Sequence, residues 1–307
     1  GPGCPVCVTP VGYVDHALAL CREAETIVAT FGDLMRVPSS KATLEQARAE
    51  GARVEVVYSA RDALERAQNA PGTRVVFLAV GFETTTPTIA AAVAEAEAND
   101  VENFLILPGN KVIPPAMLAL VQDEELNVDG FLLPGHVSVL TGWEAFRFLA
   151  DDHRVPGAVV GFSPTDVLRG VLELLRQRRD GTATVENLYG RAVSPAGNLT
   201  AAELVDGFFE PADADWRGFG VIPGSGLTLR KRYCNRDAGD IPVELPDPRE
   251  PAGCRCGEVL RGVIDPPECP LFDAGCSPSD PIGACMVSGE GTCSAWFRHE
   301  RWRGEVR

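Results

Sequence analysis

The feature that most restricts the fold of this chain is a regular alternation of short apolar runs with helical stretches, from residue 22 to about residue 230. The runs "ETIVATF", "RVEVVYS" and "TRVVFLAV" are each followed by a stretch of helical composition, and "NFLILPG", "GFLLPGHVSVL" and "GAVVGFS" repeat the pattern. Strands that are apolar throughout are typical of parallel sheets with helices on both faces. The sequence therefore predicts an α/β fold with two similar parallel-sheet domains, residues 1–100 and 101–230, the second opening with "NFLILPG".

The alternation stops near residue 230, and residues 231–307 have a different composition. A proline-rich, acidic linker, "GDIPVELPDPREPAGCRCG", leads into a segment crowded with Cys, Gly and Pro. Such a segment is too rich in loops to be held by a conventional apolar core. We therefore predict a small Cys-rich lobe that is stabilised by a cofactor or by cross-links.

The charge of the chain argues against two classes of partner. Its 28 basic and 43 acidic residues give a net charge of −15, which opposes non-specific binding to nucleic acid or to an anionic membrane. The sequence contains no apolar run long enough to span a membrane, no secretion signal and no glycine-rich nucleotide motif. We expect a cytoplasmic protein with no nucleic-acid or membrane partner and no nucleotide site.

The cysteines are distributed unevenly, and six of the ten lie between residues 254 and 293, inside the predicted lobe. These six are Cys254, Cys256, Cys269, Cys276, Cys285 and Cys293. Four thiolates suit either tetrahedral zinc or an iron–sulfur cluster. Structural zinc usually uses C-x-x-C pairs, and none occurs in the lobe, so the spacing favours a cluster wrapped by loops with two thiols left beside it. Several divisions of six thiols into four ligands and a pair satisfy this pattern.

A C-x-x-C motif formed by Cys4 and Cys7 lies in the proline-rich stretch "GPGCPVCVTP". At this spacing both sulfurs can reach one metal ion or each other. The motif therefore predicts either a metal site or a redox dithiol, and the residues alone leave both open.

Two further candidates follow apolar strands, at the edge where parallel sheets build ligand sites. His136 in "LPGHVSVLTG" is placed for iron binding or proton transfer, or for a simple hydrogen bond. Glu83 in "GFETTTPT" would lie at a helix amino terminus facing the same cleft, with the threonines after it either in the cleft or capping that helix.

Long motifs along the whole chain resemble the HypD family of [NiFe]-hydrogenase maturation proteins. They are "GPGCPVCVTP", "TFGDLMRVP", "GFETTTPT", "PGHVSVLTG" and "GACMVSGEGTC", together with the Cys-rich lobe. The resemblance implies a scaffold on which an iron ion receives cyanide and carbon monoxide ligands, forming the Fe(CN)2CO group of the hydrogenase. It also implies two similar α/β domains joined to a lobe that carries a [4Fe-4S] cluster.

The resemblance assigns roles to individual cysteines. It implies that the cluster ligands are Cys254, Cys269, Cys276 and Cys293. Cys256 and Cys285 would then be a neighbouring redox pair, as in ferredoxin–thioredoxin reductase. Cys4 and Cys7 would lie in the cleft that holds Fe(II) with its CN and CO ligands.

The family also implies partners, a HypC-type small chaperone that shares the iron and a HypE-type protein that donates cyanide. Its members carry a further Cys-Gly-x-His segment upstream of the C-x-x-C motif, so we expect additional residues before Gly1 that complete the iron site. An alternative function is an iron–sulfur-dependent thiol–disulfide oxidoreductase, which requires the two cysteine regions to approach each other. A zinc-stabilised interaction module without redox activity is the third hypothesis.

Overall fold

The computed structural model of the protein describes residues 4–126 and 128–301. In chain order its α-helices are α1 (Val11–Leu20), α2 (Leu44–Ala49), α3 (Ala60–Gln68), α4 (Thr86–Ala98), α5 (Ile113–Val121), α6 (Gly135–Thr141), α7 (Phe148–Asp151), α8 (Pro164–Asp180), α9 (Leu199–Phe208), α10 (Cys256–Leu260), α11 (Ala284–Val287) and α12 (Thr292–His299). The strands are β1 (Thr26–Thr30), β2 (Val54–Val56), β3 (Arg74–Gly81), β4 (Phe104–Asn110), β5 (Phe131–Pro134), β6 (Gly157–Val160), β7 (Val185–Asn187), β8 (Phe209–Trp216) and β9 (Gly220–Leu229). Short 3-10 helices span Gly32–Arg36, Glu144–Phe146, Lys231–Arg236, Ala238–Asp240 and Pro266–Glu268.

The first sheet is parallel throughout, with strand order β2-β1-β3-β4. Alternate residues of β3 enter two different cores, because successive side chains of a strand point to opposite faces. Val75 and Phe77 pack with α3 and α4, whereas Val76 and Leu78 pack with α1, α2 and α5. Both faces are therefore covered, which explains why the strand is apolar along its whole length.

The strand in "NFLILPG" lies in the first sheet and does not open the second. β4 pairs with β3 in parallel register from Val75 opposite Phe104 to Gly81 opposite Asn110. Its apolar run fits beside β3 because β4 is also buried on both faces, so nothing in its local sequence distinguishes the two positions. The domain limits 1–100, 101–230 and 231–307 stay a prediction.

The second sheet is smaller, with the three parallel strands β5-β6-β7. Helix α8 packs against β5 and β6, and α6 follows β5 directly. The predicted fold class is confirmed: the chain has two parallel-sheet regions followed by a Cys-rich segment.

A two-stranded antiparallel hairpin, β8-β9, separates the second sheet from the Cys-rich segment and was not anticipated. It returns to the first sheet, where Val112 N–H donates to the Ser225 carbonyl at 2.9 Å. Beyond it, the Cys-rich lobe contains short helices joined by loops. In the described residues, no helix combines the length and apolarity needed to cross a membrane, and the cytoplasmic location stays a prediction.

Candidate thiol site

The amino-terminal dithiol lies in a tight loop immediately before α1. Cys7 N–H donates to the Cys4 carbonyl at 3.1 Å, and the Thr9 hydroxyl donates to the Pro5 carbonyl at 2.9 Å. Pro10 is the residue immediately before α1. These bonds fold the proline-rich stretch back on itself, and both thiols are buried.

The two thiols of this loop have opposite acidities. A hydrogen bond from the Cys7 thiol lowers the pKa of Cys4, and a further bond from the Ser288 side chain adds to this effect. The same bond to Cys4, together with burial, raises the pKa of Cys7. Cys4 is therefore the sulfur that carries negative charge most readily, and Cys7 keeps its proton.

Four thiols of the lobe form a continuous chain of sulfur contacts. Cys256 Sγ donates to Cys285 Sγ at 2.9 Å, and Cys285 Sγ donates to Cys293 Sγ at 2.9 Å. The Cys254 thiol donates to Cys256, and this bond and burial raise the pKa of Cys254. All ten cysteines of the chain are unbridged. Cys256 and Cys285 are thus neighbours, but each also contacts a cysteine that the resemblance assigns to the cluster.

The other two lobe thiols lie on a compact loop. Phe272 N–H donates to the Cys269 carbonyl at 2.9 Å, and Cys276 N–H donates to the Leu271 carbonyl at 2.8 Å. The Cys276 sulfur accepts a bond from Ile282 N–H at 3.3 Å. Burial raises the pKa of Cys276, and the charges of Cys254 and Cys269 add to that rise.

The donor set of the lobe fits a thiolate-ligated iron–sulfur cluster. Six mostly buried thiols lie in one lobe, and a backbone N–H is directed at the Cys276 sulfur, as is common where hydrogen bonds to sulfur tune a cluster. A Cβ built on Gly283 would lie 2.8 Å from Cys254 Sγ, so glycine leaves the space around that sulfur open. In the conformation of the described residues, no group of three or more Cys, His, Asp or Glu side chains is arranged to hold a single metal ion.

The amino-terminal dithiol and the lobe meet in space although they are far apart in the chain. A Cβ built on Gly291 would lie 2.2 Å from the Cys285 carbonyl oxygen and 3.0 Å from Cys7 Sγ. Charges on Cys285 and Cys256 raise the pKa of Cys7, and Ser288 bonds to Cys4. The approach of the two cysteine regions that thiol exchange requires is therefore present.

Two arginines attach the lobe to the rest of the protein. Arg217 N–H donates to the Val8 carbonyl at 2.9 Å, and its buried guanidinium binds Glu250 at 2.8 Å. Arg261, which follows α10, binds Asp123 at 3.1 Å. Ser288 and these arginines were not singled out in the sequence, because a hydrogen bond between distant segments leaves no local pattern.

Glu83 lies after β3, with its carboxylate at the start of α5. Its Oε1 accepts a hydrogen bond from Ile113 N–H at 2.7 Å, and its Oε2 is buried with no hydrogen-bond partner among the residues that the structure describes. Burial raises the pKa of Glu83 to about 7. Nearby, Lys111 follows β4 and burial lowers its pKa to about 8. Lys111 was not anticipated, since "PGNK" at the end of β4 has no periodicity that predicts a buried cation.

The threonines after Glu83 do not cap helix α4 with their side chains. Thr85 is the residue before the helix, and among the described residues its side chain makes no capping hydrogen bond. The Thr86 hydroxyl donates to the Phe82 carbonyl at 3.2 Å.

His136 is placed differently from the thiols and from Glu83. It lies in the first turn of α6, is exposed, and its ring packs on Phe162 with centroids 4.3 Å apart. Among the hydrogen bonds of residues 4–126 and 128–301, none joins His136 to a cysteine. Its role in iron binding or proton transfer stays a prediction.

Comparison with known proteins gives a consistent result. Residues 1–300 match the model of the HypD family, described as "Hydrogenase formation hypA family". The chain is similar to the "Hydrogenase maturation factor HypD" of Escherichia coli, at 43% identity over 312 residues that cover 100% of this chain and 83% of the relative. A protein of the same name from Rhizobium leguminosarum is 43% identical over 100% of this chain and 82% of its own length. The "Putative hydrogenase expression/formation protein" of Methanocaldococcus jannaschii is 41% identical over 98% of this chain and 84% of its own length.

Proposed function

Because the chain belongs to the HypD family of hydrogenase maturation proteins, we propose that it is a scaffold for assembly of the Fe(CN)2CO group of [NiFe]-hydrogenase. In this proposal Fe(II) is cargo bound at the Cys4–Cys7 loop, and electrons reach that loop through the thiols of the lobe. The observation that carries the proposal is the contact between the two cysteine regions at Gly291.

The Cys4–Cys7 loop has the chemistry expected of a site for low-valent iron. Soft thiolates are suitable ligands, and they must lose their protons before they bind. Cys4 is the readier thiolate, so iron binding releases the proton that Cys7 holds. The tight loop keeps the two thiols within hydrogen-bonding contact of each other.

The residues that would hold a [4Fe-4S] cluster are Cys254, Cys269, Cys276 and Cys293. Such a cluster supplies single electrons to the adjacent thiol pair. Cys256 and Cys285 form that pair, and their contact at 2.9 Å is close enough for a disulfide to form after a small movement.

Electron transfer from the lobe to the loop then takes place by thiol–disulfide exchange. The Cys285 thiolate attacks Cys7 Sγ of an oxidised Cys4–Cys7 loop, forming a Cys7–Cys285 bond and releasing Cys4 as the thiolate. Cys256 then attacks Cys285 Sγ and releases Cys7, which takes up the proton that Cys256 loses. The Cys256–Cys285 pair has lost two electrons, the Cys4–Cys7 loop has gained them, and no other oxidant or reductant is needed.

The acidity of Cys4 favours the first step, in which Cys4 is the leaving group, whereas the hydrogen bond to Cys293 and burial raise the pKa of the attacking Cys285. A thiol of lower pKa leaves faster, and the pKa of Cys4 is lowered by its bonds from Cys7 and Ser288. Attack at Cys7 rather than at Cys4 also agrees with the position of Cys7 beside the Cys285 loop.

The partners in this proposal come from the family. A HypC-type small chaperone would share the iron, and a HypE-type protein would donate cyanide. His136 and Glu83 are the candidates for proton transfer, and the raised pKa of Glu83, about 7, lets it take up and release a proton near neutral pH.

An alternative function uses the same contact, a thiol–disulfide oxidoreductase whose substrate is an external disulfide. It is favoured by the continuous chain of sulfur contacts from Cys254 to Cys293. It predicts no iron at the loop. A zinc-stabilised interaction module is the third candidate, and it predicts zinc in place of iron and sulfide.

An infrared spectrum in the triple-bond stretching region tests the proposal. The protein is purified without oxygen together with its small partner. Cyanide and carbon monoxide bands that vanish in Cys4→Ser and Cys7→Ser, and persist in the exposed control Cys234→Ser, support the scaffold. A blank spectrum from protein that contains iron and sulfide in the lobe points to the oxidoreductase.

The division of the six lobe thiols is tested separately. Each is replaced by Ser, and iron and acid-labile sulfide are counted. Loss in the Cys254, Cys269, Cys276 and Cys293 variants alone supports the assignment, whereas a full cluster in the Cys269 or Cys276 variant contradicts it.

A further inference from the structure

Arg36 connects the first domain to the lobe at the point where the two cysteine regions meet. It ends the 3-10 helix Gly32–Arg36, between β1 and α2. Its Nη1 donates to the Pro278 carbonyl at 2.9 Å and its Nη2 donates to the Val287 carbonyl at 3.0 Å. The planar guanidinium thus holds two loops of the lobe at once, which a single-point cation cannot do in the same geometry.

Both carbonyls belong to segments that carry cysteines. Pro278 lies two residues after Cys276, and Val287 lies two residues after Cys285. The residue after Val287 is Ser288, which bonds to Cys4 and whose Oγ accepts a bond from Glu290 N–H at 3.3 Å. The segment from Cys285 to Ser288 therefore touches the amino-terminal dithiol directly, and Arg36 anchors it.

We propose that Arg36 is a positioning residue that sets the distance between Cys7 and Cys285 for thiol exchange. This inference rests on the proposed function. Exchange requires the attacking sulfur to approach along the line of the bond that breaks, and a displacement of about 1 Å can cost roughly 100-fold in rate. Arg36 fixes the main chain two residues from Cys285, whose carbonyl lies beside Gly291 next to Cys7 Sγ, so loss of Arg36 lets Cys285 move relative to Cys7.

The chain offers a matched control in Arg261. It follows α10 in the same lobe and binds Asp123 at 3.1 Å and Glu125 at 3.0 Å, so it ties the lobe to the end of α5. Its partners are carboxylates outside the cysteine loops. A general loosening of the lobe would follow from substitution of either arginine, whereas misplacement of Cys285 against Cys7 would follow only from substitution of Arg36.

The test uses the whole chain, kept free of oxygen. It measures the effective concentration of the thiols in two disulfides, each isolated by cysteine substitutions, by equilibration with a glutathione redox buffer. A Cys4→Ser, Cys256→Ser background leaves Cys7 and Cys285 to pair across the contact. A Cys7→Ser background leaves Cys256 and Cys285 to pair within the lobe. Alkylation and mass spectrometry identify each bond.

We expect Arg36→Met to lower the effective concentration of the Cys7–Cys285 disulfide by about tenfold or more and to leave the Cys256–Cys285 disulfide within about twofold. Arg36→Lys keeps the positive charge but loses the planar set of donors, so it should lower the effective concentration of the Cys7–Cys285 disulfide by less. Arg261→Met should change neither. The lysine variant keeps the test valid if Arg36→Met folds poorly.

Three outcomes overturn the inference: an unchanged Cys7–Cys285 value in both Arg36 variants, an equal fall of both disulfides, or the same fall in Arg261→Met. Failure of the proposed function has a different signature. In that case no Cys7–Cys285 disulfide forms even when Arg36 is intact.

Discussion

The two parallel sheets are each covered by a long helix, and these helices bury opposite kinds of residue. On the first sheet, α4 buries Ile89 and Val93 between β3 and α9. On the second sheet, the buried residues of α8 include Asp166 and Gln177, whereas Leu168 is 68% exposed. The same strand–helix architecture therefore does not require the apolar side of the helix to face the sheet.

Helix α8 is held by polar contacts and by one close approach. The Asp166 carboxylate binds Arg191, and Gln177 Oε1 accepts a bond from Thr184 N–H at 2.8 Å. A Cβ built on Gly170 would lie 2.5 Å from Val160 Cγ1, so glycine is needed for the helix to lie this close to β6. Burial of apolar area stabilises α4, and specific contacts stabilise α8.

The two candidate residues that follow strands, Glu83 and His136, also differ between the two sheets. The carboxylate of Glu83 after β3 lies against the start of α5, and within the described part of the chain its buried Oε2 has no hydrogen-bond partner. His136 after β5 is exposed. The first sheet thus buries its functional candidate, and the second presents its candidate to solvent.

The largest effect is expected from truncation in the first sheet. Ile89→Ala removes a fully buried side chain from the core between α4 and β3, and we expect a loss of about 2–5 kcal/mol in the free energy of unfolding. Urea denaturation followed by circular dichroism measures it. A loss below about 1 kcal/mol would mean that α4 is held by contacts of the kind found for α8.

A comparable effect is expected from the pH dependence caused by Glu83. Its folded pKa of about 7 lies above the ordinary value of 4.5, so the folded state binds the proton more tightly than the unfolded state does. Stability therefore falls as pH rises from about 4.5 through about 7, by roughly 3.5 kcal/mol in total at about 1.4 kcal/mol per pKa unit. Glu83→Gln should remove this fall.

The measurement for Glu83 is urea denaturation at pH 5 and pH 8 for the unsubstituted protein and for Glu83→Gln. Glu203→Gln, at an exposed position on α9, is the matched control and should leave the pH dependence unchanged. Equal pH dependence in the unsubstituted protein and in Glu83→Gln would show that the carboxyl is solvated and that the first sheet does not enclose its candidate residue.

The sequence predicted the features that depend on local composition, and it did not predict the features that depend on contacts between distant segments of the chain. The continuous apolar run of β3 indicated a doubly covered strand, and the loss of rhythm after residue 230 indicated the lobe. The pairing of β4 with β3 and the hairpin "FEPADADW" were missed, because strand order is set by tertiary contacts and Asp and Pro are unfavourable in strands. The exposure of the leucines of α8 was also not predicted. The sequence of a helix shows which residues share a face, but it does not show which face packs against the sheet.

The candidate site divides in the same way. Spacing alone identified both cysteine groups, and the resemblance added the pairing of Cys256 with Cys285. Neither gave the contact of Cys285 with Cys293, nor the approach of Cys7 to the lobe at Gly291. These contacts arise where separate segments meet, so their prediction needs the fold.

A smaller effect is expected at the start of α8. The Ser163 hydroxyl oxygen accepts a hydrogen bond from Asp166 N–H at 3.1 Å, so Ser163→Ala leaves that donor without its cap. We expect a loss of about 1 kcal/mol in the free energy of unfolding, measured by urea denaturation. Ser163→Asp, which restores an acceptor at the same position, should recover most of the loss. Equal losses in both variants would show that the cap does not hold α8.

The smallest effect is expected from the outer side of α8, and it is the strictest test of the comparison. Leu168→Ala removes about as much side chain as Ile89→Ala removes from α4, but Leu168 is 68% exposed and Ile89 is 0% exposed. Since little apolar area leaves water at Leu168 on folding, and alanine and leucine both favour helices, the change should stay within about 0.5 kcal/mol. Parallel urea denaturation of the two variants gives the difference directly. A loss at Leu168 approaching that at Ile89 would place this side chain in a packed environment, and the two sheets would then be covered in the same way.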